Sequence, residues 1–387
     1  MEVVNILVFN AGSSSLKFGV YTPGGEKQSS GETGWPPGLP LAALPDLGPL
    51  QGGNTPDAIG HRVVHGGIRF EESVRVTAAV KNDIKSLFEL APLHNPRALE
   101  VIEACQKAFP RVPQVAVFDT AFFSKLPPSE TVYPLPYEWY ADWGIRRFGF
   151  HGISHAYCSG RVAELMRAPA QEPARLVICH LGQGCSAAAI RGTEAVATTM
   201  GFTPLEGLMM GERSGSVDPG ILLYVQRKHG LSPERLEDVL NRKSGLLGVS
   251  GVSGDFREVE AAAQRGNEQA GLALEMFADR VRSAIGSLAV TLGGLDALVF
   301  TGGIGEHSAP LRDMVCRGLE CLGVRLDPAR NKAGRPPLAS LAVGGADSDI
   351  AVADSKARIW VIQTEEEKLI ARETERVIGR SVDKVGR

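Results

Sequence analysis

Two stretches of this chain repeat one pattern half a chain apart: "VFNAGSSSLKFGV" (8–20) and "ICHLGQGCSAAAI" (178–190). Each runs from an apolar strand into a polar residue, then glycine and small residues, then a second strand. The offset is a constant 170 positions, so Gly12 matches Gly182, Ser13 matches Gln183, Ser15 matches Cys185 and Val20 matches Ile190. In a chain of 387 residues this is the spacing that a duplicated domain requires, and the length alone favours two domains. Each half must then build a sheet around a strand, a tight elbow and a return strand.

The wider pattern agrees. Strands expected at 3–9, 58–64, 113–118, 175–180, 187–191, 297–301 and 358–362 alternate with helical patterns at 96–109, 267–292 and 365–378. Such alternation gives an α/β protein with a substantial sheet. Residues 22–56 hold eight glycines and seven prolines. They predict a loop with one edge strand near 28–33.

Composition excludes several classes. A net charge of -3 gives no bulk electrostatic case for binding nucleic acid or an anionic membrane. No apolar run reaches the roughly 18 residues that would span a bilayer, and "MEVVNILVFN" reads as a strand, not a signal peptide. The six cysteines form no C-x-x-C pair; reduced thiols in a cytoplasmic protein are expected.

A tight turn between strands presents consecutive backbone N–H groups, which is an anion site. In the first elbow Ser13 and Ser15 add hydroxyl donors and Lys17 adds charge. This is not a Walker A loop, because the exit is a strand and not a helix. An ordinary hairpin is the competing reading. A third glycine cluster, "VFTGGIGEHS" (299–308), also follows a strand. Three glycine elbows at the carboxyl ends of strands predict a large phosphate-bearing ligand. Arg62, Asp119, His151 and Arg213 lie among apolar or glycine residues, where an unpartnered charge is expensive. A purely structural Arg62–Asp119 ion pair remains open. "HGISH" (151–155) has zinc-like spacing but lacks the glutamate, and a hydrogen-bond donor to a phosphoryl group suits His151 better.

With these pieces placed, the chain resembles the acetokinase family, of the superfamily of acetate and sugar kinases, actin and heat-shock chaperones. The resemblance is carried by "NAGSSSLKF", "GHRVVHGG", "APLHNP", "FDTAF", "RRFGFHGISH", "CHLGQG", "FTPLEGLMMGERSGSVDPG", "GVSGDFRE" and "FTGGIGEHS", in order and nearly end to end. It implies duplicated actin-like (ribonuclease H-like) ATPase domains with an interdomain active-site cleft. The N-terminal lobe would span 1–150, closed by a C-terminal helix at 365–387. The C-terminal lobe would span 151–364 and form a homodimer interface.

The resemblance further implies reversible, Mg²⁺-dependent transfer of the ATP γ-phosphoryl group to acetate, giving acetyl phosphate and ADP, with Mn²⁺ able to replace Mg²⁺. Propionate or another short carboxylate is the alternative acceptor. By the same resemblance Asn10, Asp119 and Glu366 would serve the metal. Arg62 and Arg213 would clamp the carboxylate and the migrating phosphoryl group, with His151 and His180 donating to it. Val64, Leu93, Phe150 and Pro204 would line the acyl pocket. Lys17, Ser13, Ser15, His180, Gly182, Gln183 and Gly184 would hold the ATP phosphates. Asp255, Phe256, Arg257, Gly303, Ile304, Gly305 and His307 would border the nucleoside. The chain departs from the family at Gln183, Cys185, Ser216, His307 and Glu365. The last leaves Glu365 and Glu367 as neighbours able to replace Glu366.

Overall fold

A computed structural model describes residues 5–12, 15–34, 55–92, 94–166, 172–333 and 347–385. The chain divides into two compact units: Met1–Lys125 with Phe150–Tyr157 and Glu365–Arg387, and Leu126–Gly149 with Cys158–Thr364.

The first unit is built on strands β1 (Ile6–Ala11), β2 (Ser15–Tyr21), β3 (Lys27–Gly34), β4 (Ala58–Val63), β5 (Val74–Arg75) and β6 (Gln114–Phe118), in the order β3-β2-β1-β4-β6-β5. The first three form an antiparallel meander, β1, β4 and β6 run parallel, and β5 is a two-residue antiparallel edge. Central strands read as apolar runs because both faces are covered. Leu7, Phe9 and Ile59 pack with Val101 and Cys105 of the helix Asn95–Ala108. Ile6, Val8, Val115 and Val117 pack on the opposite face with Ile370 and Ala371 of the helix Glu366–Val385. The period-2 alternation of β1 sorts its side chains between these two layers.

The second unit repeats this plan. Strands β7 (Arg175–Leu181), β8 (Cys185–Arg191), β9 (Glu194–Thr198), β10 (Ala297–Thr301), β11 (Ser348–Asp349) and β12 (Arg358–Val361) lie in the order β11-β12-β10-β7-β8-β9. Again a meander leads into parallel strands and a two-residue antiparallel edge. The helix Glu268–Leu292, N-capped by Asn267, packs against β7 and β8. The echo is therefore a structural duplication: β2 (15–21), moved 170 positions along, falls on β8 (185–191). The elbows differ by one residue. Ala11 pairs with Leu16 across four residues, whereas Leu181 pairs with Cys185 across three.

The Gly- and Pro-rich stretch does supply an edge strand, β3, close to the expected position. Residues 126–149 pack with the second unit because Arg147 fastens them to the segment after β9. Its guanidinium donates to the Thr199 carbonyl (3.3 Å) and the Met200 carbonyl (3.1 Å) and pairs with Glu206 at 2.9 Å.

Candidate active site

In the first unit the parallel strands bring three predicted residues together at their carboxyl ends. Asn10 is near the end of β1, Arg62 is in β4, and Asp119 follows β6. Arg62 donates from Nε (2.9 Å) and Nη2 (2.7 Å) to Asp119 Oδ2, and from Nη1 (3.0 Å) to Asn10 Oδ1. Asn10 Nδ2 donates to Glu366 (2.9 Å) and to Glu367 (2.8 Å), and Arg62 lies 3.5 Å from Glu366. Three carboxylates thus surround one guanidinium. Burial works against the charge on Arg62, but Asp119 and Glu366 more than offset it, and its pKa is raised. Burial also pushes the Asp119 carboxyl up, against the pull of Arg62, and the Glu366 charge pushes the same way.

This oxygen-rich cluster with excess negative charge fits a hard divalent cation. Among the described residues no group of three or more His, Cys, Asp or Glu side chains is arranged to enclose a metal. Glu367 is the functional candidate that sequence reasoning ranked behind Glu366; both face Asn10. Glu365 is engaged elsewhere, accepting from Tyr157 Oη (2.6 Å) and Lys368 Nζ (3.2 Å).

Asp119 also seats the segment carrying His151. Ile153 N–H donates to Asp119 Oδ1 (3.3 Å), and a side chain at Gly152 would collide with the Asp119 carbonyl. His151 itself has φ 56°, the one non-glycine residue in left-handed backbone among those described. Strain of this kind persists where the surroundings enforce it. Lys17 stands directly opposite Asn10 across β1 and β2, so both side chains occupy the same sheet face. Val64 and Phe150 are buried, and His65 meets the Phe150 ring edge-on at 5.4 Å. Ser13 and Leu93 lie outside the described residues, and of Ser15 only its place at the start of β2 is described.

The second unit assembles the other set of predicted residues around the elbow after β7. His180, half-buried, is the penultimate residue of β7 and pairs with Thr301 of β10. In the elbow, Gly182 N–H donates to the Gly184 carbonyl (3.1 Å), and the Gln183 carbonyl accepts from Gly211 N–H (3.2 Å). The Gln183 side chain lies over Gly211 and Gly254, which uses the extra methylene of this departure. Arg213 donates from Nη1 to the Pro204 carbonyl (2.7 Å) and forms no ion pair among the described residues. Burial lowers its pKa, only partly opposed by Cys185 and Glu212. Ser216, the other departure nearby, is clasped to Gly207 through its N–H and hydroxyl.

Gly303, Ile304, Gly305 and His307 form the short helix Gly302–His307 after β10. Glu306 holds its start, accepting from Gly302 N–H (3.2 Å). Asp255 caps the helix Phe256–Gln264 and pairs with the exposed Arg257 at 2.6 Å. The Phe256 ring is turned into the core against Phe277.

Some of these glycines have no structural need to be glycine. Gly302 has φ 76°, and a Cβ there would come 2.7 Å from the Leu181 carbonyl. By contrast, a Cβ on Gly182 would meet nothing closer than 3.5 Å, and one on Gly303 nothing within 4 Å; neither has positive φ. A glycine kept bare in open space is the residue that lets a ligand approach the backbone.

Bare glycines at the turns of one sheet and an arginine among carboxylates at the strand ends of the other suit phosphoryl transfer, and the relatives of this chain define it as a phosphotransferase acting on a carboxyl group. The chain belongs to the acetokinase family, whose model matches residues 49–372. An acetate kinase of Dictyoglomus thermophilum is 51% identical over 327 residues, 84% of this chain and 79% of that one. The crystal structure of Porphyromonas gingivalis acetate kinase superposes with a TM-score of 0.87 at 38% identity, covering 97% of this chain and all of that one. A propionate kinase from Francisella tularensis superposes at 0.84 and 36%, with 97% of this chain covered.

Proposed function

We propose that this chain catalyses reversible transfer of the ATP γ-phosphoryl group to acetate, giving acetyl phosphate and ADP. The observation that carries the reading is the Asn10–Arg62–Asp119–Glu366 network at the ends of β1, β4 and β6, in a chain of the acetokinase family. A carboxylate nucleophile is already ionised at pH 7, so no general base is required. The work left to the protein is alignment and charge neutralisation. Arg62 and Arg213 neutralise the acceptor and the migrating group, and His151 and His180 donate hydrogen bonds to it. The acetate oxygen attacks phosphorus in line as the bond to the ADP oxygen breaks, with no phosphoenzyme. Asp119, Glu366 and Asn10 would hold Mg²⁺ or Mn²⁺, which supplies charge neutralisation on the phosphate oxygens. Gly182, Gln183, Gly184 and Lys17 would hold the ATP phosphates. Val64, Phe150, Leu93 and Pro204 would receive the acyl methyl.

No helix among the described residues is long and apolar enough to cross a membrane. None of the six cysteines, all among the described residues, is in a disulfide, which supports a reducing, cytoplasmic location. A homodimer is supported by the helix Pro219–His229, which buries no side chain and leaves Ile221, Leu223 and Tyr224 each more than half exposed.

The test is acyl phosphate formation, trapped as the hydroxamate, from ATP, Mg²⁺ and acetate, propionate or butyrate. Acetate is expected to give the highest kcat/KM. Propionate above acetate would transfer the assignment to the alternative acceptor. No acyl phosphate from a folded sample would replace the kinase reading with a nucleotide-driven clamp.

A further inference from the structure

Val64, which the proposed function places in the acyl pocket, lies just beyond the sheet. The β4–β6 pairing ends at Val63 and Phe118. Backbone past the last ladder pair has no neighbouring strand to hold it, so its position depends on other anchors. Here the anchor is one side chain. Asn95 Oδ1 accepts from His65 N–H (3.1 Å), and Asn95 Nδ2 donates to the His65 carbonyl (3.0 Å). The amide therefore grips both polar groups of the residue that follows Val64, as a β-strand partner would. Asn95 and His65 are both completely buried. Thr120, next to Asp119, adds a weaker grip, its hydroxyl accepting from Gly66 N–H (2.9 Å).

Asn95 is also connected, through His65, to Phe150. It opens the helix Asn95–Ala108, two positions after Leu93. His65, whose backbone it holds, packs its ring edge-on against Phe150. Two of the side chains expected around the acyl methyl, Val64 and Phe150, are thus tied to the residue that this buried amide holds. Nothing in the metal or phosphate chemistry calls on Asn95.

We propose that Asn95 is a positioning residue that sets acid specificity: it fixes Val64 and Phe150 at the separation that admits a methyl group and resists a longer chain. This rests on the acyl-pocket reading given above. One methylene in an apolar pocket is worth a factor of about 10–200, so a modest outward shift of Val64 is enough to blur the ranking of acids.

The experiment compares the wild type, Val64→Ala, Asn95→Ala and the shape-preserving Asn95→Asp. Asn95→Asp keeps an acceptor for His65 N–H but turns a carboxylate oxygen towards the His65 carbonyl. For each protein the kcat/KM values for acetate, propionate and butyrate are measured on one preparation, with the KM for ATP. The ratio between acids is independent of how much enzyme is folded, so a partly folded variant still reports. The expected result is that both Asn95 variants lower the acetate-to-propionate ratio by about tenfold, in the direction of Val64→Ala, with the ATP KM little changed. If Val64→Ala shifts the ratio and both Asn95 variants leave it at the wild-type value, the inference falls and the pocket stands. Equal losses on all three acids, or an ATP KM that moves as far as the acid KM, would show plain destabilisation and overturn it. If Val64→Ala itself leaves the ranking untouched, the pocket reading fails first and takes the inference with it.

Discussion

The two units share one topology and differ in how they treat an arginine. Arg62 is held in a ring of carboxylates, with three hydrogen bonds to Asp119 and Asn10. Arg213 has a backbone carbonyl at 2.7 Å and no ion pair among the described residues. Arg62 is part of the fold's own charge balance, and a ligand must share it with Asp119. The desolvation of Arg213 is only partly offset, by Glu212 and Cys185 and the Pro204 carbonyl, a cost that an anionic ligand would relieve. The first arrangement suits a cation and the second suits an anion.

The sharpest way to break this contrast is to remove each arginine and read activity and stability together. Loss of either is expected to lower turnover on the order of 10²–10³-fold, by analogy with losing one donor to developing charge. Stability should separate them. Arg62→Ala leaves Asp119 and Glu366 buried and uncompensated, and breaking such a pair costs about 3–5 kcal/mol. Arg213→Ala removes a half-buried cation with no ion pair among the described residues and one hydrogen bond, so its unfolding free energy should stay within about 1 kcal/mol of wild type. Denaturant unfolding of both variants checks this. Equal destabilisation would mean that Arg213 has a structural partner, and near-normal turnover in Arg62→Ala would leave its ion pair with Asp119 purely structural.

Much of this contrast was legible in the sequence. The 170-residue echo located β1–β2 and β7–β8, and the sequence around Arg62 and Asp119 places the first within a strand and the second at the end of one. The unread parts were set by contacts remote in sequence. Residues 126–149 join the second unit because Arg147 and Tyr133 bind Glu206, some 60 to 70 positions away. Three consecutive glutamates at 365–367 carry no mark of helical phase; only the packing shows that Glu366 and Glu367 face Asn10 while Tyr157 takes Glu365. The one-residue difference between the elbows is invisible because strand pairing, not local composition, sets it.

The acidic cluster gives the next, smaller effect. Glu366→Gln is expected to raise the Mg²⁺ concentration for half-maximal rate by at least about tenfold, and Glu367→Gln by less, because loss of groups around a metal costs about 10–100-fold in affinity. Glu212→Gln, the carboxylate next to Arg213, should leave the Mg²⁺ requirement unchanged. Titration of activity with Mg²⁺ at fixed ATP measures all three. A Glu212 effect as large as that of Glu366 would abolish the division of labour between the two sheet ends.

The smallest expected effect tests why the second unit keeps glycine where its fold does not need it. A Cβ on Gly182 has at least 3.5 Å of clearance and one on Gly303 has open space, whereas one on Gly302 would crowd the Leu181 carbonyl at 2.7 Å in a φ 76° backbone. Gly182→Ala should therefore unfold within about 0.5 kcal/mol of wild type. Gly303→Ala, inside a short helix, should be neutral or more stable by up to about 1 kcal/mol. Gly302→Ala should be clearly destabilised, since it forces a side chain into left-handed backbone against a carbonyl. If the first two glycines are bare because phosphate and nucleoside approach them, their alanine variants will raise the ATP KM severalfold while leaving the acetate KM alone. An unchanged ATP KM in both would mean that the open space is only solvent, and that the elbow of the second sheet is a hairpin like any other.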